Sequence, residues 1–343
     1  MSAPLVSVLM PVYNGARYLP AAVDSILGQS LRDLEFVVID DGSTDETPAI
    51  LSRYADRRLK LRRLEHVGLV AALNAGVDAC SAPYIARMDA DDLSYPDRLR
   101  RQADHLESDP HCDFVTCCSD LLDHHGRVVG CTQGGVAPDM ILELAGGNEI
   151  VHGSVMIRRS SLPRPAYPRP PEDYWLWEHM ARAGRVFHCI PEPPMYGFRE
   201  HRERYSLIKA ESQSRGVVEV QWPLLEECSA TRDLADQHVR GRLLVGWGRV
   251  GGAAYRSGQP DRGHNAFRRF MELARTVSNG PLVAPLLTGA ESLIWGGCPF
   301  AERIALRLVE LRLRPFAGSS YRKLFLAMPG VESVRSFLHR SRC

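Results

Sequence analysis

Short apolar runs of strand length alternate with helix-spaced ones over the first third of the chain. Leu5–Met10 and Phe36–Ile39 are near-continuous apolar runs, and Tyr18–Leu27 between them repeats its apolar residues at helical spacing. Ala49–Ala55 reads as a second, short helix, Leu59–Leu64 as a third strand, Leu69–Ala79 as a helix and Tyr84–Met88 as a fourth strand. This β-α-β-α rhythm predicts a mostly parallel α/β sheet. Strands without polar alternation fit burial on both faces. Farther on, Val151–Arg158 reads as a strand, Pro163–Pro171 as a loop, Asp173–Ala183 as a helix, and Val186–Ile190 and Met195–Phe198 as strands. From about residue 206 the pattern turns to helices and loops. Ala253–Ser278 has the spacing of one helix–turn–helix repeat. In Ala301–Arg314, Arg303, Arg307, Glu310 and Arg314 share one helical face, and Ile304, Leu308 and Leu311 the other. Packing on the main domain explains that stripe better than a membrane-surface face.

In open parallel sheets, ligands sit beyond the carboxyl ends of the strands. Pro11-Val-Tyr13-Asn-Gly15 follows the first strand, Asp40-Asp41-Gly42-Ser43-Thr44-Asp45 the second and Asp89-Ala90-Asp91-Asp92 the fourth, all on one predicted edge. Three carboxylates within four residues repel one another, and a bound cation relieves that repulsion. Hard oxygen ligands suit Mg²⁺ or Mn²⁺. The plain alternative is a solvated acidic turn in which Asp92 caps the next helix. In the second turn Gly42 permits a sharp bend, and Ser43 or Thr44 can cap the helix from Glu46. A carboxylate there can also accept a hydrogen bond from a nucleobase N–H. Glu172-Asp173 heads a helix, so Asp173 is either an N-cap or a general base. A helix N-terminus lowers a carboxylate's pKa, which keeps it ionised but weakens it as a base. His152 and His201 are two of twelve histidines, and a lone histidine is more often structural than ligating.

Together these motifs resemble family 2 glycosyltransferases of the GT-A fold. The resemblance rests on Val6-Ser-Val-Leu-Met-Pro-Val-Tyr-Asn-Gly15, Val38-Ile-Asp-Asp-Gly-Ser-Thr-Asp45, Asn74-Ala-Gly76, Tyr84-Ile-Ala-Arg-Met-Asp-Ala-Asp-Asp92, Pro96-Asp-Arg-Leu99, Val151-His-Gly-Ser-Val-Met-Ile-Arg158, Glu172-Asp173 and Phe198-Arg-Glu-His201. It covers roughly residues 4–206, and the branch looks like bacterial enzymes of cell-surface polysaccharide synthesis. It implies a nucleotide-diphospho-sugar transferase domain over residues 1–206 and a helical C-terminal region over 207–343. It further implies inverting, metal-dependent transfer from a nucleotide-diphosphate sugar, UDP-sugars first, to a saccharide or lipid-linked saccharide. Carried over, Pro11 and Tyr13 flank the nucleobase and Asp41, or Asp40, accepts from its ring N–H. Asp89 contacts the ribose region. Asp91 holds the Mn²⁺ or Mg²⁺ that bridges the diphosphate, His201 is a further metal or phosphate ligand, and Asp173 is the catalytic base.

Three departures stand out. Ala72-Leu73 replaces a basic residue common before the Asn-x-Gly helix, with Arg62 or Arg63 as substitutes. Phe198 replaces a Tyr, and Gly153 replaces the Pro common after the histidine. No Gln-x-x-Arg-Trp occurs, which together with the lack of membrane spans argues against a processive membrane-embedded synthase. The other readings are a nucleotidyltransferase of similar sheet and a non-catalytic sugar-nucleotide-binding scaffold. Pro11–Gly15 is not the Gly-rich basic loop the first requires, and the intact acidic motifs argue against the second.

Composition changes this picture little. The chain has 343 residues, 45% of them hydrophobic, enough for two domains or one core with a long extension. The net charge of +1 provides no global field for nucleic acid. Residues 300–343 nevertheless carry +6, which suits peripheral contact with an anionic membrane, a folded cap or an oligomer interface. The nine cysteines lack any C-x-x-C pair, which predicts reduced thiols of a cytoplasmic protein, several of them buried. Met1–Met10 has no basic leader, so no signal peptide is expected, and the most apolar late stretch, Pro281–Phe300, holds three prolines and Glu291.

Overall fold

The computed structural model describes residues 3–132, 139–201 and 210–276, with isolated positions between 286 and 298. The predicted Ala301–Arg314 helix, most of Pro281–Phe300 and the expected boundary near 206 lie outside the described residues. Seven strands form the main sheet. Strands β1 (Val6–Val12) and β2 (Leu34–Asp40) are fully buried, as their unbroken apolar sequences require. They are joined by α1 (Leu19–Leu27), and β2 leads through α2 (Thr47–Leu51) to β3 (Leu59–Arg63). Helix α3 (Leu69–Ala79) returns to β4 (Tyr84–Arg87), followed by the two-residue β5 (Leu93–Ser94), α4 (Arg98–Ser108) and β6 (Cys112–Cys117). Then come β7 (Ser119–Leu122), β8 (Val128–Thr132), α5 (Met140–Gly146), β9 (Met156–Arg158), α6 (Glu172–Arg182), β10 (Val186–Ile190) and β11 (Tyr196–Arg199). The main sheet runs β10-β6-β9-β4-β1-β2-β3, and a smaller one β5-β11-β7-β8. Only β9 runs antiparallel in the main sheet, so β1, β2 and β4 end on one edge, as predicted. A core of Val6, Val8, Met10, Val23, Ile26, Phe36, Val38, Ala86, Leu99 and Met156 lies against that sheet.

The Asn74-Ala-Gly76 motif is built for packing. Helix α3 approaches so closely that a Cβ on Gly76 would lie 2.1 Å from Leu9 Cδ1. Asn74 clamps a distant loop: its amide donates to Tyr167 O at 2.7 Å, and its carbonyl accepts from Tyr167 N–H at 3.1 Å. The predicted strand Val151–Arg158 is broken. His152–Ser154 forms a 3₁₀ turn, and only Met156–Arg158 enters the sheet. Buried side chains of α4 cause this. Arg98 donates to Gly153 O, and Gln102 donates to Ser154 O at 2.7 Å, so those carbonyls face a helix instead of a strand. The periodicity assigned no element to α4, β6, β7, β8 or α5. The apolar stripe of α4 is only Leu99, Ala103 and Leu106, and its other buried positions are Arg98 and Gln102.

Residues Met1–Met140 and Asn148–Ile208 pack as one unit, while Ile141–Gly147 and the chain from Lys209 form a second. The expected division at 206 did not anticipate that residues 141–147 belong with the later helices. In the second unit are α7 (Ala210–Thr231), α8 (Gln237–Arg256) and α9 (Pro260–Ala274). Gln221 donates to Ala145 O at 2.9 Å, and Arg242 holds the Glu143 carboxylate at 3.1 Å. Asp236 caps α8 by accepting from His238 N–H at 2.7 Å. The predicted helix–turn–helix turns at Ser257-Gly258-Gln259, later than its Ala253 start, with Gly258 at φ +70°. Among the described residues no helix is long and apolar enough to cross a membrane.

Candidate active site

The first two acidic-edge loops are laced together. Asn14 (φ +51°) accepts from Thr44 N–H at 2.8 Å and donates its own N–H to the Ser43 hydroxyl at 2.9 Å. Gly15 N–H reaches the Thr47 hydroxyl at 3.0 Å, and Ala16 N–H the Asp45 carboxylate at 3.0 Å. Pro11 is buried in β1, whereas Tyr13 is 45% exposed and stacks on His66 with ring centres 4.0 Å apart. Asp40 and Asp41 are both buried and both committed. Asp40 accepts from Ser43 N–H at 2.8 Å. The two oxygens of Asp41 accept from Val67 N–H at 2.7 Å and Gly68 N–H at 2.9 Å. Asp41 therefore positions the loop that carries His66. Each of its oxygens keeps a second lone pair for another donor. Gly42, at φ +76°, has no room for a side chain: a Cβ would lie 2.7 Å from His66 N. Arg63 bonds Ser43 O at 2.8 Å and so serves this turn, while Arg62 is exposed.

The Asp89–Asp92 turn divides its three carboxylates among three tasks. Asp89 pairs with the buried Arg87 at 2.8 Å. Asp92 is buried, accepting from Tyr196 OH at 2.8 Å and Arg199 N–H at 2.7 Å. Burial pushes the Asp92 carboxyl well above its usual range, and the charges of Asp91 and Asp89 add to this. The helix-capping role read for Asp92 is replaced by this tie to β11, because the residue before α4 is Asp97. Asp91 is one-third exposed, and its Oδ2 lies 2.8 Å from His201 Nε2, across 110 residues of chain. The structure thus joins the two sequence-predicted metal ligands directly. The Nδ1 of His201 is buried with no hydrogen-bond partner among the described residues. A partly exposed carboxylate oxygen and an imidazole nitrogen meeting at one point fit a divalent cation.

Sequence reasoning missed the residues that surround this pair. Tyr18 packs its ring 4.9 Å from His201, and the guanidinium groups of Arg17 and Arg199 lie over the same ring at 4.9 and 4.8 Å. Arg199 also donates to Asp91 O at 2.8 Å. The Phe198-Arg-Glu-His201 motif held Arg199, but nothing local shows that its guanidinium turns back to the acidic turn. Tyr196 explains Gly153: a Cβ there would lie 1.8 Å from the Tyr196 hydroxyl. A proline cannot occupy that space any better than alanine can.

Asp173 lies in the first turn of α6 and is not its N-cap, a position held by Pro171. One oxygen accepts from Tyr174 N–H at 2.7 Å, the other from the Asn148 amide at 2.7 Å. Burial raises its pKa, against these two donors, and the Asp89 charge adds to the rise. The helix terminus therefore loses to desolvation, and the expected lowering is corrected. Next to it, Glu172 is buried with Oε2 unbonded among the described residues, and burial together with the Asp173 charge pushes its carboxyl up to about 7. His152 donates or accepts at Tyr167 OH, 3.0 Å away. Burial and the nearby Arg87 charge hold its ring neutral.

Two outcomes test this geometry. Tyr196→Phe leaves Asp92 short of one donor, and chemical denaturation should show a loss of about 1–3 kcal/mol; unchanged stability would remove the tie. Glu172 has a folded pKa of about 7, above its ordinary 4.5, so the native state holds its proton longer. Stability falls as pH rises between those values. Glu172→Gln should make the unfolding free energy less steep between pH 4.5 and about 7, and an unaltered slope counts against a buried Glu172 carboxyl.

The family model described as glycosyl transferase family 2 matches residues 7–127. EpsE of Bacillus subtilis is 37% identical over 164 residues, 47% of this chain and 58% of that protein. Chondroitin synthase of Escherichia coli is 34% identical over 128 residues, 37% of this chain and 19% of that protein. The chain spans 38–58% of the length of the first curated relatives it matches. Among solved structures, TarS 1-349 of S. aureus in complex with UDP-GlcNAc superposes with a TM-score of 0.54 at 19% identity, covering 96% of this chain and 91% of that one. The mannosyltransferase PcManGT of Pyrobaculum calidifontis, in complex with GDP-Man and Mn²⁺, gives 0.50 at 20% identity, covering 92% and 87%. With a matching family model and these folds beside its own sheet, the chain carries a glycosyl transferase family 2 domain over residues 7–127, on the GT-A fold.

Proposed function

We propose that the chain is a metal-dependent, inverting glycosyltransferase of the cytoplasm. It moves a sugar from a nucleotide-diphosphate sugar, UDP-sugars first, to a saccharide or lipid-linked saccharide in cell-surface polysaccharide synthesis. The observation that carries this reading is the contact between Asp91 and His201, which gathers two metal-ligating atoms beyond the carboxyl end of β4. The named complexes with UDP-GlcNAc and with GDP-Man and Mn²⁺ support the donor class and the cation. The match to chondroitin synthase supports a polysaccharide product.

In this reading Pro11, Tyr13 and Asp41 receive the nucleobase, with Tyr13 braced by His66. Asp89, fixed by Arg87, faces the ribose region. Asp91 and His201 would hold Mn²⁺ or Mg²⁺, which when bound would supply Lewis acidity toward the diphosphate leaving group. Arg17 adds an exposed positive charge beside this pair. Asp173 takes the proton from the acceptor hydroxyl as that oxygen bonds to the sugar carbon and the bond to the diphosphate breaks. Single displacement by this route inverts the anomeric centre and needs no covalent enzyme intermediate. Asn148 and Tyr174 N–H fix the orientation of the Asp173 carboxylate, while burial raises its basicity. Burial raises both carboxyls, and the Asp173 charge raises Glu172 further.

Asp173→Asn should cost about 10²–10⁴-fold in turnover while UDP binding survives; near-normal turnover would exclude Asp173 as the base. Asp91→Ala should abolish metal-dependent UDP binding in isothermal titration, and unchanged heats would remove Asp91 as a ligand. The +6 charge of residues 300–343 supports peripheral attachment to an anionic leaflet, at about 1 kcal/mol per exposed Arg. The full chain should therefore co-sediment with anionic vesicles better than residues 1–299, and equal binding removes that role.

A further inference from the structure

A second cluster of ligating atoms lies away from the donor edge. His105 is near the end of α4, Cys112 is the first residue of β6, and His188 is in the middle of β10. One ligand atom from each lies within 4.8 Å of the other two. His105 Nε2 and His188 Nδ1 are 2.9 Å apart, with the rings edge to face. Asp109 brings a carboxylate oxygen to 3.7 Å from the same His188 nitrogen, and its other oxygen is fixed by His111 N–H at 3.0 Å. A bulge helps assemble the group. From the Val186–Cys112 pair, an unbroken ladder would set His188 against Phe114, but the register shifts and sets it against Val115. Strand β6 runs parallel to β4, so its first residue lies at the end of the sheet opposite the Asp89–Asp92 turn.

We propose that His105, Cys112 and His188, with Asp109 or a water as fourth ligand, form a structural site for Zn²⁺ or a similar borderline cation. Mixed nitrogen and sulfur ligands favour such a cation over Mg²⁺ or Mn²⁺. Four-coordinate zinc needs its ligand atoms roughly 3.3–3.8 Å apart, given bonds of about 2.0–2.3 Å. The wider separations, up to 4.8 Å, reach that by a contraction of about 1 Å, while the two imidazole nitrogens, now 2.9 Å apart, must separate by roughly 0.5 Å. The proton balance is simple. Each imidazole keeps one proton, on the ring nitrogen that does not ligate, and the Cys112 thiol releases one to solvent. Sequence spacing gave no sign of this site, because His105-x₃-Asp109-x₂-Cys112 lacks a zinc-knuckle pattern and His188 comes from a strand 76 residues after Cys112. The bound ion would tie α4, β6 and the edge strand β10 together and leave the donor edge untouched.

The test is cobalt titration of the full-length chain after chelator treatment, followed by competition with Zn²⁺. Wild type should bind one Co²⁺ with a thiolate-to-cobalt charge-transfer band, and one equivalent of Zn²⁺ should erase it. The band should persist in Asp91→Ala and Cys118→Ser, and vanish in Cys112→Ser. His188→Gln, at a half-exposed position that tolerates change, should weaken Zn²⁺ binding by at least the ~10–100-fold that outer partners of a metal carry. It should also remove the rise in melting temperature that Zn²⁺ gives wild type. No thiolate band in wild type, a band that survives Cys112→Ser, or unchanged Zn²⁺ affinity in His188→Gln would each overturn the site. These readouts do not depend on sugar transfer, so they stand or fall apart from the proposed function.

Discussion

The buried carboxylate of Asp92 is the constraint on which the acidic edge depends. It ties the turn after β4 to β11 through Tyr196 OH and Arg199 N–H. Tyr196 in turn accepts from Asp89 N–H at 3.3 Å, and Arg199 holds Asp91 O. With those bonds made, His201, two residues beyond Arg199, meets the free face of Asp91. A buried carboxyl without partners costs several kcal/mol, so both donors are needed and the tie cannot loosen cheaply. The same tie accounts for Gly153, whose missing side chain is the space that the Tyr196 hydroxyl occupies.

A division of labour among similar residues follows. Of the three aspartates in one turn, the most buried is structural, one is neutralised by Arg87, and one keeps its oxygen toward the imidazole. The turn after β2 shows the same economy: Asp40 and Asp41 shape loops through backbone N–H groups while keeping further lone pairs. At α6 two carboxyls adjoin in a poorly hydrated place. Desolvation outweighs the helix terminus there and raises both carboxyls, Glu172 to about 7.

Much of the fold was legible in the chain. The buried parallel strands follow from unbroken apolar runs, and their shared carboxyl edge follows from strand–helix alternation, because short connections must return the chain in the same direction. Val186–Ile190 and Leu69–Ala79 carry the predicted bounds. Elements held by polar burial were not legible. Helix α4 packs with Arg98 and Gln102 inside, where periodicity expects apolar residues, and those two side chains also cut the strand expected over Val151–Arg158. A carbonyl's partner across 50 residues leaves no local trace.

What the sequence determined by itself is the parallel sheet, the three acidic or aromatic turns at its edge, and which candidate residues those turns carry. Those depend on local composition and spacing. Only the tertiary structure decided which aspartate meets His201, which is spent on Tyr196, and that burial raises Asp173 where its helix position would lower it. It alone placed Ile141–Gly147 with the later helices and brought His105, Cys112 and His188 to one point. The physical reason is common to all of these. Hydrogen-bond partners and desolvation are set by groups far apart in the chain, and no window of neighbouring residues contains them.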